Sequence, residues 1–194
     1  MEAFSDGVIA ILITIMVLQL RRPSGPSFAD LRAIYPSLLA YVLSFVYLGI
    51  YWNNHHHLLM TVRRVSGAML WANLALLFCL SLFPFVTAWM AENRFATDTV
   101  VSYSVVVAMA AMAFTTLQLV IVRSHGTDLR LKNALGRDLK SKGSFAAYVA
   151  AIPLAFVFRW ASIAIYVIVA MVWFIPDRRL QNYIESTAEA NEEV

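Results

Sequence analysis

The chain has 194 residues, of which 60% are hydrophobic and 14% charged, with a mean hydropathy of +0.68. A soluble globular domain carries about a quarter charged residues, so this composition excludes one and specifies an all-α integral membrane protein without a large soluble domain. The net charge of +3 and pI near 9.2 are read as topology signals and lipid contacts, not as a nucleic-acid surface.

A membrane-spanning helix needs roughly 17 to 25 largely apolar residues. The first expected span, Phe4 to Leu20, opens on Phe4-Ser5-Asp6-Gly7 and is then apolar except at Thr14 and Gln19. No basic residue precedes it and Arg21-Arg22 follow it, the reverse of a cleaved secretory signal, so it is expected to stay in the mature protein. A serine and an aspartate one turn inside a membrane helix are costly unless partnered. They read either as caps for the free N–H groups at the positive helix end or as one side of a packing contact. Gly7, Ile11, Thr14, Ile15 and Leu18 form one stripe on the helical wheel. Because the helix is apolar all round, spacing alone leaves that stripe facing lipid or a neighbouring helix.

After a turn-rich linker through Pro23, Gly25 and Pro26, with Ser27 as a helix cap before Phe28, the second span is read as Tyr35 to Asn53. It ends in Tyr51-Trp52-Asn53-Asn54-His55-His56-His57. Three successive histidines diverge by about 100° each on a helix and lack the i, i+4 ligand spacing, so no metal site is expected within one chain. The third span, Ala68 to Met90, carries Asn73, expected to hydrogen-bond between helices, and Pro84, expected to kink it. Cys79 is the single cysteine, so no intrachain disulfide forms. The fourth span is Thr99 to Val122. The basic segment Arg123 to Ser144 is expected along the anionic inner leaflet. Phe145 to Ile175 would be about 46 Å long as one helix, too long for a hydrocarbon core of about 30 Å. With Pro153 and Arg159-Trp160 inside it, it reads as two short helices turning near Arg159.

Six transmembrane helices follow, in a domain of residues 1–180 with an acidic cytoplasmic tail over 181–194. With both termini cytoplasmic, ten basic residues lie inside (Arg63, Arg64, Arg123, Arg130, Lys132, Arg137, Lys140, Lys142, Arg178 and Arg179) and five outside (Arg21, Arg22, Arg32, Arg94 and Arg159), as the positive-inside rule requires. There is one copy of Phe-Ser-Asp, so a central pathway built from it takes several chains.

Phe4-Ser5-Asp6, followed by Gly-Val-Ile-Ala-Ile-Leu-Ile-Thr-Ile-Met-Val-Leu, resembles the first helix of the transmembrane protein 175 family of endolysosomal potassium channels and their shorter prokaryotic relatives. Trp52-x-x-His55-His56 with Leu58-Leu59 resembles the end of that family's second helix, and Leu70-Trp71-Ala72-Asn73-Leu74 with Ser81-Leu82-Phe83-Pro84-Phe85 resembles its third. The resemblance runs with specific motifs from Phe4 to about Trp89. The family motif also has an arginine four residues before the phenylalanine, a position that precedes Met1.

The resemblance implies a potassium-selective leak channel in a prokaryotic plasma membrane: a homotetramer in the lipid bilayer whose first helices line the pore, conducting potassium ions with no cofactor. Large aliphatic side chains narrow the pore in place of backbone carbonyls, and the chain has no Thr-Val-Gly-Tyr-Gly segment. On this sequence the constriction falls on Ile11, continues through Ile15 and Leu18, and has the Thr14 hydroxyl nearby. Phe4, Ser5 and Asp6 then pack against polar residues of the second and third helices, with His55 a candidate partner for Asp6 or Ser5 and Asn73 close by. His56 and His57 are expected at headgroups and water. Two rivals stand beside this reading. One is a secondary or proton-coupled transporter using Asp6 and His55, and the other a membrane scaffold dimerising through Ala108, Ala110, Ala111 and Ala113. No nucleophile with a base, glycine-rich phosphate loop or paired intramembrane carboxylates is present, which argues against an enzyme.

Overall fold

A computed structural model describes residues 1–62, 64–124 and 139–174. Its elements are α1 (Glu2–Leu18), α2 (Leu31–Met60), α3 (Gly67–Ser81), α4 (Phe83–Glu92), α5 (Thr97–Ser124) and α6 (Leu139–Phe174). The described residues form an all-helical bundle. Four helical stretches are long and apolar enough to cross a membrane: Leu31–Met60, Gly67–Glu92, Thr97–Ser124 and Lys140–Phe174. Helix α1, at 17 residues, sits at the short end of the range for a span.

The breaks have local causes. Helices α3 and α4 form one stretch interrupted at Leu82. Pro84 has no N–H to give to the carbonyl four residues before it, so the ladder is interrupted there. Helix α2 begins at Leu31 with Asp30 at its N-cap, not at Phe28. Asp30 instead closes the preceding turn, accepting from the Ser27 backbone N–H at 3.0 Å, while Ser27 Oγ accepts from Ala29 N–H at 3.1 Å. In α6 the backbone at Phe158 is non-helical (φ −152°, ψ 88°). There the chain folds back on itself: Ser162 Oγ donates to the Ala151 carbonyl at 2.9 Å and Trp173 Nε1–H to Ser144 Oγ at 2.7 Å. Residues 29 positions apart on a straight helix would be about 44 Å apart, so α6 is an antiparallel pair of arms, 139–157 and 159–174.

Aromatic and hydroxyl groups hold the arms to the bundle. Tyr47 of α2 donates to the Tyr166 carbonyl at 2.8 Å. Tyr166 in turn shares its hydroxyl with Ser162 and with Ser104 of α5. Ser44, Thr87 and Tyr103 make a second buried hydroxyl cluster across α2, α4 and α5. In a bilayer these bonds have no water to compete with them. At the other end of the bundle from Met1, Phe95 adopts φ 59° next to Arg94 at φ 49°, and its buried ring packs on Trp160 of α6 at 5.8 Å. Arg21 beyond α1 pairs there with Glu92 at 2.8 Å. Of the basic residues assigned to the inner side, Arg63, Arg130, Lys132, Arg137, Arg178 and Arg179 lie outside the described residues, as does the tail 181–194.

Candidate functional site

Helix α1 has two unlike faces. Ser5, Ile9, Leu12 and Met16 are buried against the rest of the chain, which fits the i, i+4, i+7, i+11 spacing of a packed helix face. On the other side Phe4, Gly7, Ile11, Thr14, Ile15 and Leu18 are exposed. Ile9 is 1% accessible, whereas Ile11 is 57% and Leu18 is 82% accessible. One aliphatic stripe therefore makes the fold and the other is left free by it. Thr14 lies on the free stripe and donates its hydroxyl proton to the Ile11 carbonyl at 2.8 Å. Its oxygen keeps lone pairs for another donor or for a cation.

The buried face is pinned at its N-terminal end by polar groups. Asn73 of α3 donates Nδ2–H to Ser5 Oγ at 2.9 Å and accepts at Oδ1 from His55 Nε2–H of α2 at 2.7 Å. Ser5 passes its own proton to the Met1 carbonyl at 3.1 Å. With Asn73 oriented this way, His55 carries its proton on Nε2, and its Nδ1 has no hydrogen-bond partner among the described residues. Ser5, His55 and Asn73 are all essentially inaccessible. Neither Ser5 nor Asp6 caps α1, since Met1 occupies the N-cap and makes no side-chain cap bond.

Of the two partners offered for His55, Ser5 is reached only through Asn73 and Asp6 is not reached at all. Asp6 accepts from Trp52 Nε1–H at 2.9 Å and not from His55, because residues 5 and 6 point about 100° apart on a helix. Ser5 looks into the bundle and Asp6 along its edge. Phe4 has its ring outward at 60% accessibility. His56 lies 2.9 Å from Glu2 of α1, and His57 Nδ1–H donates to the Asn53 carbonyl at 2.7 Å. Trp52 and Glu2 are the participants that the sequence did not single out. Trp52 stood in a recognised motif but beside more conspicuous histidines, and Glu2 stood before the apolar run. The alanines of α5 leave no continuous docking stripe: Ala108, Ala110 and Ala113 are buried within the chain and Ala111 is half-buried.

Comparison with known proteins places the chain among membrane channels. Residues 1–84 match the family described as the endosomal/lysosomal potassium channel TMEM175. A potassium channel of Chryseobacterium sp. (strain P1-3) is 48% identical over 185 residues, which is 95% of this chain and 96% of the relative. A potassium channel of Streptomyces collinus is 36% identical over 167 residues, 80% of this chain and 81% of the relative. The human endosomal/lysosomal proton channel TMEM175 is 40% identical over 80 residues, 35% of this chain and 16% of the human one. The fold is similar to the crystal structure of a lysosomal potassium-selective channel TMEM175 homolog from Chamaesiphon minutus, with a TM-score of 0.79 and 27% identity over 91% of this chain and 95% of that one.

Proposed function

The chain belongs to the TMEM175 family, a family of channels and not of enzymes, and from that premise we propose that it conducts potassium ions through a pore at the centre of a homotetramer. The observation that carries the proposal is the division of α1 into a buried stripe and an exposed one. The exposed stripe, through Ile11, Thr14, Ile15 and Leu18, is the one that four copies would turn toward a common axis. A single α1 cannot enclose a pathway, so the pore is built by assembly. The Ser5–Asn73–His55 bonds hold each α1 at a fixed depth against its own subunit, which keeps the four side chains of each ring at one level.

A ring of Ile11 side chains offers no oxygen to replace the water that an ion loses. Potassium, which holds its water less tightly than sodium, then passes more readily, and a dry neck closes by dewetting. The Thr14 hydroxyl, whose proton is already given to Ile11 O, presents acceptor lone pairs just beyond the neck. Asp6 and His55 belong to separate contacts, with Trp52 and Asn73 respectively, which disfavours the transporter reading that pairs them.

In this reading the membrane is crossed six times, by α1, α2, the α3–α4 stretch, α5 and the two arms of α6. The fold-back at Phe158 supports the division of the last span, the ten basic residues against five support cytoplasmic termini, and the relatives from Chryseobacterium and Streptomyces support a prokaryotic plasma membrane.

The test is electrophysiological. In planar bilayers, reversal potentials under bi-ionic potassium and sodium conditions should show potassium preference. Ile11→Asn, which wets the neck and supplies ligands to both cations, should raise conductance and reduce that preference. An unchanged permeability ratio in Ile11→Asn, Ile15→Asn and Leu18→Asn alike would remove α1 from the pore. A current whose reversal follows only the proton gradient would replace potassium as the permeant ion.

A further inference from the structure

A second polar cluster stands on the edge of the bundle, next to the Ser5–Asn73–His55 set but separate from it. Glu2 and Asp6, one turn apart on α1, meet His56 of α2, and one ligand-capable atom from each lies within 4.8 Å of the other two. Nδ1 of His56 is only 2.9 Å from Glu2 Oε1. Yet this nitrogen, itself shielded from solvent, makes no aligned hydrogen bond. Trp52 arranges two of the three groups. Its ring stacks on His56 at 6.0 Å and 25°, and its Nε1–H is bonded to Asp6 Oδ1 at 2.9 Å, which leaves Oδ2 available.

We propose that Glu2, Asp6 and His56 form a binding site for a zinc-type divalent transition-metal ion. One imidazole and two carboxylates from two helices make the mixed nitrogen and oxygen donor set that suits such an ion. Magnesium and calcium call for six or more oxygens. In a tetrahedral centre with bonds of about 2.0 to 2.2 Å the donors stand about 3.4 Å apart, so donors already within 4.8 Å of one another need only small side-chain adjustments, chiefly of the exposed Glu2 against the half-buried Asp6 and His56. The fourth position stays open to water or chloride. Trp52 then plays the part of an outer-sphere partner that orients ligands. A metal bound here ties the start of α1 to the end of α2, next to the buried bonds that already join them.

The rival occupant of the same gap is a proton shared between His56 and Glu2. The two differ in stoichiometry and in pH response, because a metal must displace the proton and binds less tightly as pH falls. The experiment is equilibrium dialysis of the purified full chain, freed of any polyhistidine tag, against zinc ion, with metal content read by mass spectrometry and melting temperature recorded in parallel. The expected result is one zinc per chain, bound saturably, with a melting temperature that rises with zinc. Removing an outer-sphere partner of a metal ligand costs on the order of 10- to 100-fold in affinity, and losing a ligand should cost at least as much. Glu2→Gln and His56→Gln should therefore each weaken binding by on the order of tenfold or more. His57→Ala should leave it unchanged, since His57 Nδ1 is committed to the Asn53 carbonyl. Glu2 is exposed, so Glu2→Gln reads the site without challenging the fold. Absence of saturable binding in the wild type, or binding that Glu2→Gln leaves intact, would overturn the proposal.

Discussion

Asn73 is the residue on which three helices meet, because a side-chain amide offers a donor and an acceptor at opposite ends of one planar group. It uses the first on Ser5 and the second on His55. Replacing it by alanine leaves two buried polar groups without their partner, each at a cost of about 1 to 3 kcal/mol. We expect Asn73→Ala to lower the melting temperature in detergent more than Asp6→Ala, His56→Ala or His57→Ala, whose groups lie at the bundle edge. We also expect the double variant Ser5→Ala/Asn73→Ala to lose clearly less than the sum of its single losses, as residues in one bonded network do. Additive losses would show that the bond contributes nothing to stability. An asparagine in an apolar run could be read from the sequence as an interhelical contact, since a membrane interior penalises the alternative. Its choice of partners could not. Ser5 and Asp6 are neighbours in the chain, and only the rotation of α1 about its axis decides that one meets Asn73 and the other Trp52.

At the scale of the helix, the same rotation separates two kinds of leucine. Leu12 is packed into the bundle at 6% accessibility and Leu18 stands out of it at 82%. Leu12→Ala should destabilise each subunit by about 2 to 5 kcal/mol, as truncations in packed cores do. Leu18→Ala should leave the melting transition of the subunit nearly unchanged and alter conductance instead. A melting temperature that falls equally in both would mean that α1 is packed on all sides by its own chain. Helix lengths and breaks were largely open to sequence reading, because Pro84 and the excess length of the last apolar block carry their own physical penalties. The turn comes at Phe158, next to the expected Arg159. The extent of α2 was not legible in the same way. It runs to Met60, past the interface expected at Asn53, because histidine and asparagine end a hydrophobic run without ending a helix. The free stripe of α1 could not be chosen by spacing for a related reason, since an all-apolar helix has no periodicity from which to choose a face; only the family resemblance singled out Ile11, Thr14, Ile15 and Leu18.

For the whole molecule, the proposed assembly around the exposed α1 stripe can be tested chemically. Cys79 is the single cysteine and is buried in α3, so a Cys79→Ser background is free of native thiols. In it, Leu18→Cys places one thiol per chain on the free stripe, and Met16→Cys places one on the packed face, where Met16 is 2% accessible. If α1 helices surround a common axis, oxidation should join Leu18→Cys chains in covalent pairs, because each thiol finds a copy of itself on the neighbouring chain around the axis. Met16→Cys should stay monomeric in the same gel. A disulfide needs Cα atoms within about 7 Å of each other, so the reaction reports close approach and not general proximity. Pairing alone is equally compatible with a dimer, and native mass spectrometry in detergent distinguishes the cases: a dominant species of four chains is expected. Efficient pairing in a dominant dimer would leave the α1 stripes facing each other with no room for an ion between them. Four chains without pairing at Leu18 would put the shared axis on another helix. Either result would separate the exposed stripe from conduction.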